Sequence, residues 1–207
     1  MTEKTNQLKK AGSLASKEVF STKNLVLISL LSAVAYVLML LHLPFKFIGF
    51  LELEFSDVPA IIGGILYGPA VGVIVELIKN LIKAITATTT GGVGEAANFV
   101  ICSAFVLPAS ILFRRMKGKG RAFVSFSVAT ISMVVIGGLV NYFIMVPLYA
   151  KVFGGMDAVI GVSSQMIPAI KDLGTIVLFG ITPFNIVKGI VLGIVSWYIY
   201  KPLRSRI

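Results

Sequence analysis

Three observations predict an all-α fold, an integral membrane bundle of six transmembrane helices with both termini cytoplasmic. The 207 residues are 57% hydrophobic and only 14% charged, with a mean hydropathy of +0.93, a balance no water-soluble domain carries. The apolar residues fall into runs long enough to cross a bilayer, divided by Pro, Gly and charged residues. The basic residues cluster beside those runs in a pattern that fixes an orientation.

The same residues exclude several functions. The net charge of +10 sits next to apolar spans, which argues for membrane orientation and against a nucleic-acid partner. No GxxxxGK[ST] motif is present, so the chain cannot hydrolyse ATP by a P-loop mechanism. The lone Cys102 permits no internal disulfide and makes a metal cluster an unfavoured reading. A single histidine, His42, excludes HExxH zinc chemistry and has no Ser or Cys partner in sight, leaving it an interfacial side chain. No catalytic constellation emerges, and the chain is not expected to be an enzyme or to hold a cofactor.

In chain order, residues 1–23 read as a polar cytoplasmic tail or surface helix with five lysines, and no cleaved signal peptide is expected. Residues 24–202 form the transmembrane domain and 203–207 a short cytoplasmic tail. The first span, Asn24–Leu43, ends at Pro44 and carries small residues at Ser29 and Ala33, one turn apart, where another helix can approach closely. FKFIGFLELEFS, residues 45–56, alternates polar and apolar around Glu52 and Glu54, as an extended interfacial segment does.

Asp57–Ile82 is one kinked span or two helices broken at Tyr67-Gly68-Pro69; at about 1.5 Å per residue, length permits either. Charge favours two. With six spans, the tail, the Arg114–Arg121 loop and the Lys201–Arg206 end all lie inside, carrying thirteen of the 19 basic residues. Helix three, Pro69–Ile85, aligns Glu76, Lys79, Asn80 and Lys83 on one face, as either a self-neutralising ladder or a proton or ion pathway. Glu95 and Asn98 open the fourth helix, which runs to Phe113. The fifth span is Phe123–Leu148, and 149–181 is a long outer connection of the kind that forms lids. The sixth is Thr182–Lys201, closed by an interfacial belt of Trp197, Tyr198 and Tyr200. The absence of an internal repeat weakens a secondary-transporter reading.

An amide and an ammonium inside the sixth span are costly without partners or a ligand. Asn185 and Lys188 share one helix face. Under the six-span topology they lie at the level of Asn141, about 10 Å below the outer end of helix five, with Glu95 and Asn98 on the same side. Convergent polar groups in an apolar setting suit a small molecule, here a planar heteroaromatic one with acceptors and donors. The competing reading is interhelical amide contacts with a snorkelling Lys. No acid on its own helix neutralises Lys188, so the expectation is a donor facing a ligand carbonyl.

The segments Leu51-Glu-Leu-Glu-Phe-Ser-Asp-Val-Pro59, Tyr67-Gly-Pro-Ala-Val-Gly72, Glu76-Leu-Ile-Lys-Asn80, Thr90-Gly-Gly-Val-Gly-Glu95 and Pro183-Phe-Asn-Ile-Val-Lys-Gly189 carry a family resemblance. Across nearly its whole length the chain resembles the substrate-binding S components of energy-coupling-factor (ECF) vitamin transporters, most closely the riboflavin-specific type. That resemblance implies that Asn141, Asn185 and Lys188 hydrogen-bond the flavin ring. It implies too that the loop after helix one and the 149–181 connection cover the ligand. Ser29-x-x-x-Ala33 matches the family's AxxxA surface for a transmembrane coupling subunit, with Ser replacing the first Ala. ATP would be hydrolysed by two separate ATP-binding subunits, and the S component would topple in the cell membrane to release its vitamin inward. The alternatives are an S component for another vitamin, an autonomous proton-coupled transporter using Glu76, Lys79 and Lys83, and, last, a membrane enzyme.

Overall fold

The computed structural model describes residues 21–41 and 46–203; among these the regular structure is helical. Helix α1 spans Thr22–Leu40, α2 Asp57–Tyr67, α3 Pro69–Thr86, α4 Val93–Arg115 and α5 Arg121–Val140. A π-helical turn, Asn141–Met145, joins α5 to α6 (Val146–Val152); α7 is Met156–Met166 and α8 Leu173–Thr175. A second π segment, Ile176–Ile181, leads into α9, Thr182–Leu203. Among the described residues, four continuous helical stretches are long and apolar enough to cross a membrane: Thr22–Leu40, Val93–Arg115, Arg121–Val152 and Leu173–Leu203.

Local chemistry sets the boundaries. The Ser21 hydroxyl accepts from the Asn24 amide and caps α1, so the helix starts within the expected tail. The chain breaks between α2 and α3 at Gly68, whose φ of 125° suits glycine, followed by Pro69, which needs no amide partner at a helix start. The two-helix reading of Asp57–Ile82 holds. Where an extended segment is expected, residues 46–56 hold a tight turn closed by Phe47 N–H to Leu51 O at 2.8 Å. The 149–181 connection is shorter than expected, because α6 runs on to Val152 and the last helical stretch already begins at Leu173. His42 and Pro44, the tail to residue 20 and the end from 204 lie outside the described residues.

Helix α1 packs on α2 and α3, α4 lies against α2, α3 and α5, and α5 against α9, which also touches α2. The main core is apolar, with Phe105, Phe113, Ala129, Met133 and Leu192 buried at the α4–α5–α9 junction. A smaller core at the other end joins Ile48, Val159, Ile170 and Ile176, and so seats α7 on the 46–51 turn. Large apolar side chains such as Val26, Leu30, Phe123 and Ile131 point outward, as in a protein solvated by lipid.

Candidate functional site

Residues from six helices and the 46–56 turn line one cavity enclosing about 660 Å³, counting its open mouth. Glu95, Asn98, Asn141, Asn185 and Lys188 all reach it, with apolar walls from Met39, Phe50, Ile101, Met133 and Phe184. The structure therefore brings the five residues singled out in the sequence to one place. It also makes α5 and α9 neighbours.

Each polar residue is held from its own element. Asn141 starts the π turn and donates to Gly137 O at 2.8 Å. Gly137 is also what lets Asn185 fit: a Cβ there would stand 2.6 Å from Asn185 Nδ2. That Nδ2 is buried without a hydrogen-bond partner among the described residues, as is Glu54 Oε2. The other Glu54 oxygen accepts from Asn98 Nδ2 at 2.8 Å, and Asn98 Oδ1 accepts from Asn80 at 3.3 Å. Glu95 Oε2 accepts from Thr88 Oγ1 at 3.0 Å and Thr90 Oγ1 at 3.3 Å, so the threonine-rich turn before α4 fixes this carboxylate. A buried polar atom left unpaired costs about 1–3 kcal/mol, which marks Asn185 Nδ2 as a donor in want of an acceptor.

Lys188 departs from expectation. Its ammonium is 2.9 Å from Asp57 Oδ2 and also approaches Cys102 Sγ at 3.4 Å, so it does not face the cavity as an unpaired donor. Asp57, wholly buried at the head of α2, is shared: its other oxygen takes Lys79, which reaches Glu76 Oε2 at 2.9 Å and Ser56 Oγ at 2.8 Å. The Cys102 thiol donates to Asp57 at 3.3 Å. Sequence reasoning missed Asp57, though an acid heading a helix as apolar as α2 signals an interior partner. Glu76 and Lys79 form the self-neutralising ladder. The trio Asp57, Glu76 and Cys102 has donor atoms within 4.8 Å of one another, yet two ammonium groups already occupy the carboxylates, a poor setting for a cation.

At the mouth, Glu52 bridges Lys46 at 2.9 Å and Lys83 at 3.2 Å. Burial pushes the Glu52 carboxyl up, but the two lysines outweigh it and hold it below the ordinary carboxylate range. The turn that carries Glu52 is itself tense. Ile48 has φ 46°, unusual for a β-branched residue; Ser163 Oγ donates to its carbonyl at 3.2 Å, and its side chain is buried in the smaller core. Of the expected outer connection, only Tyr149 lines the cavity. Helix α7 supports the cover from behind by bracing the 46–51 turn.

Residues 23–200 match the family of ECF transporter substrate-specific components. This chain belongs to that family. It is 37% identical over 190 residues to a riboflavin transporter, FmnP, of Bacillus subtilis (strain 168), covering 89% of this chain and 94% of the relative. A riboflavin transporter RibU of Staphylococcus aureus (strain TCH60) is 35% identical over 184 residues, covering 88% and 91%. Among solved structures, the S component of a bacterial ECF transporter superposes with a TM-score of 0.71 at 33% identity, over 88% of this chain and 96% of that one. The relatives are transporters, and this ECF S component is not an enzyme.

Proposed function

We propose that this ECF S component is the riboflavin-binding subunit of its transporter. It captures the vitamin at the outer face of the cell membrane and delivers it inward with a transmembrane coupling subunit and two ATP-binding subunits. Asn185 Nδ2, buried without a partner among the described residues and close to Asn141 in a cavity that joins apolar walls to polar groups, supports this reading most directly. A flavin ring offers carbonyl oxygens to such donors and an apolar body to walls such as Phe184 and Met133. Asn98 and Glu95 complete the polar rim, and Lys188, held by Asp57, borders the same cavity. The names of the two relatives, both riboflavin transporters, support the choice of vitamin.

The proposed topology has six spans, with α2 and α3 as separate spans and both termini cytoplasmic, an arrangement favoured by the positive-inside count. Ser29 and Ala33 lie exposed on the outer side of α1, a surface suited to the coupling subunit. Reconstitution tests the assignment. Proteoliposomes holding this chain alone should accumulate no riboflavin, and those that also hold the coupling and ATP-binding subunits should accumulate it when ATP is supplied. Uptake by the chain alone, lost in Glu76→Gln, would instead establish an autonomous proton-coupled transporter. Uptake of a different vitamin by the full complex would reassign the ligand.

A further inference from the structure

The site leaves the outer face of the α5–α9 pair unused. A groove of about 1230 Å³, counting its open side, runs along it between Phe123 and Ile131 on α5 and Ile190 and Ile194 on α9. Its floor lies close to backbone because Gly189 and Gly193 admit Thr130 and Phe126 of α5. Toward the Arg114–Arg121 loop the lining turns basic, with Lys117, Lys119 and Arg121, and Lys119 and Trp197 belong to both parts. Among the described residues, those lining the two parts include no acid.

One of these cations is fixed. The Arg121 guanidinium lies 4.3 Å from the Phe113 ring centroid and donates to the Tyr200 hydroxyl at 2.8 Å. Lys117 and Lys119 are exposed beside it. A fixed cation, two adjacent lysines, an indole at the boundary and a continuous apolar groove reproduce in order the phosphate, interface and acyl region of a lipid.

We infer that this groove binds one anionic phospholipid, its phosphate on Lys117, Lys119 and Arg121 and an acyl chain along the α5–α9 groove. A soluble anion would use the cations and leave the apolar groove idle; a neutral partner helix would do the reverse. The lipid does not compete with the surface proposed for the coupling subunit, since α1 packs on α2 and α3. The proposed topology puts this lipid in the cytoplasmic leaflet; binding itself does not rest on that topology.

The test is native mass spectrometry of the full chain in mild detergent with added phosphatidylglycerol or phosphatidylcholine. Wild type should retain one phosphatidylglycerol in preference to phosphatidylcholine. Because each Lys near an anionic lipid is worth about fivefold, Lys117→Gln with Lys119→Gln should lower that retention at least about tenfold, whereas Lys151→Gln, an exposed control, should not. Ile131→Trp, which fills the groove, should lower it with the lysines intact. Equal retention of the two lipids, full retention in the double lysine variant, or displacement of the lipid by glycerol 3-phosphate at equal concentration would each overturn the site. Riboflavin quenching on the same samples separates the two claims. Selective lipid retention without flavin binding would sink the proposed function and leave this site standing.

Discussion

At the scale of single residues, the interior is governed by one shared carboxylate. Asp57 serves Lys188 and Lys79 at once, and a buried ion pair is costly to break because the survivor keeps its burial and loses its partner, roughly 3–5 kcal/mol. Asp57→Leu should therefore lower the thermal midpoint in detergent severely. Adding Lys188→Met should recover part of that loss, and strictly additive midpoints would show that the two residues do not share the pair. Asn185 plays the opposite part, a donor with no partner among the described residues. Asn185→Leu should not lower the midpoint and should weaken riboflavin about two- to tenfold, the worth of a neutral hydrogen bond of about 0.5–1.5 kcal/mol, measured by fluorescence titration. An equally tight complex would remove Asn185 from the site.

Among the elements, the two π-helical segments and the 46–56 turn matter most. π-Turns recur at functional sites because the extra residue re-aims the side chains beside it; here one begins at Asn141 and the other ends just before α9. Neither was legible in the sequence, since a one-residue insertion leaves hydrophobic patterning almost intact. The break at Gly68-Pro69 was legible, because those residues act through their own backbones. Asn141 and Asn185 stood out because an amide within an apolar run is locally anomalous. The Asp57–Lys188 contact was not, because it joins residues distant in sequence and depends on how α2 meets α9. Gly137→Ala tests the fit of those helices: its Cβ would fall on Asn185 Nδ2, so flavin affinity should drop at least about tenfold, near 1.4 kcal/mol, with helix stability kept or raised. The turn gives a pH prediction. Glu52 is held below its ordinary value, so its link to Lys46 and Lys83 is fully present above about pH 4.3 and lost as the pH falls through the lowered value. Flavin release should therefore be flat from neutral pH down to about that point and speed up below it, and Glu52→Gln should release faster at neutral pH, with the acid step gone.

For the whole molecule, the polar groups divide into two sets. One, centred on Asp57, Glu76 and Lys79, neutralises itself beneath the cavity and holds α2, α3 and α9 together. The other, from Asn98, Glu95, Asn141 and Asn185, borders the cavity. That division suits the proposed binding subunit: a rigid base and a polar rim. The most direct test of this account is a riboflavin fluorescence titration of the purified, delipidated chain in detergent, with no partner subunit present. The account predicts a yellow protein when flavin is present during growth and saturable quenching at one riboflavin per chain. A colourless protein that quenches no added riboflavin would contradict it.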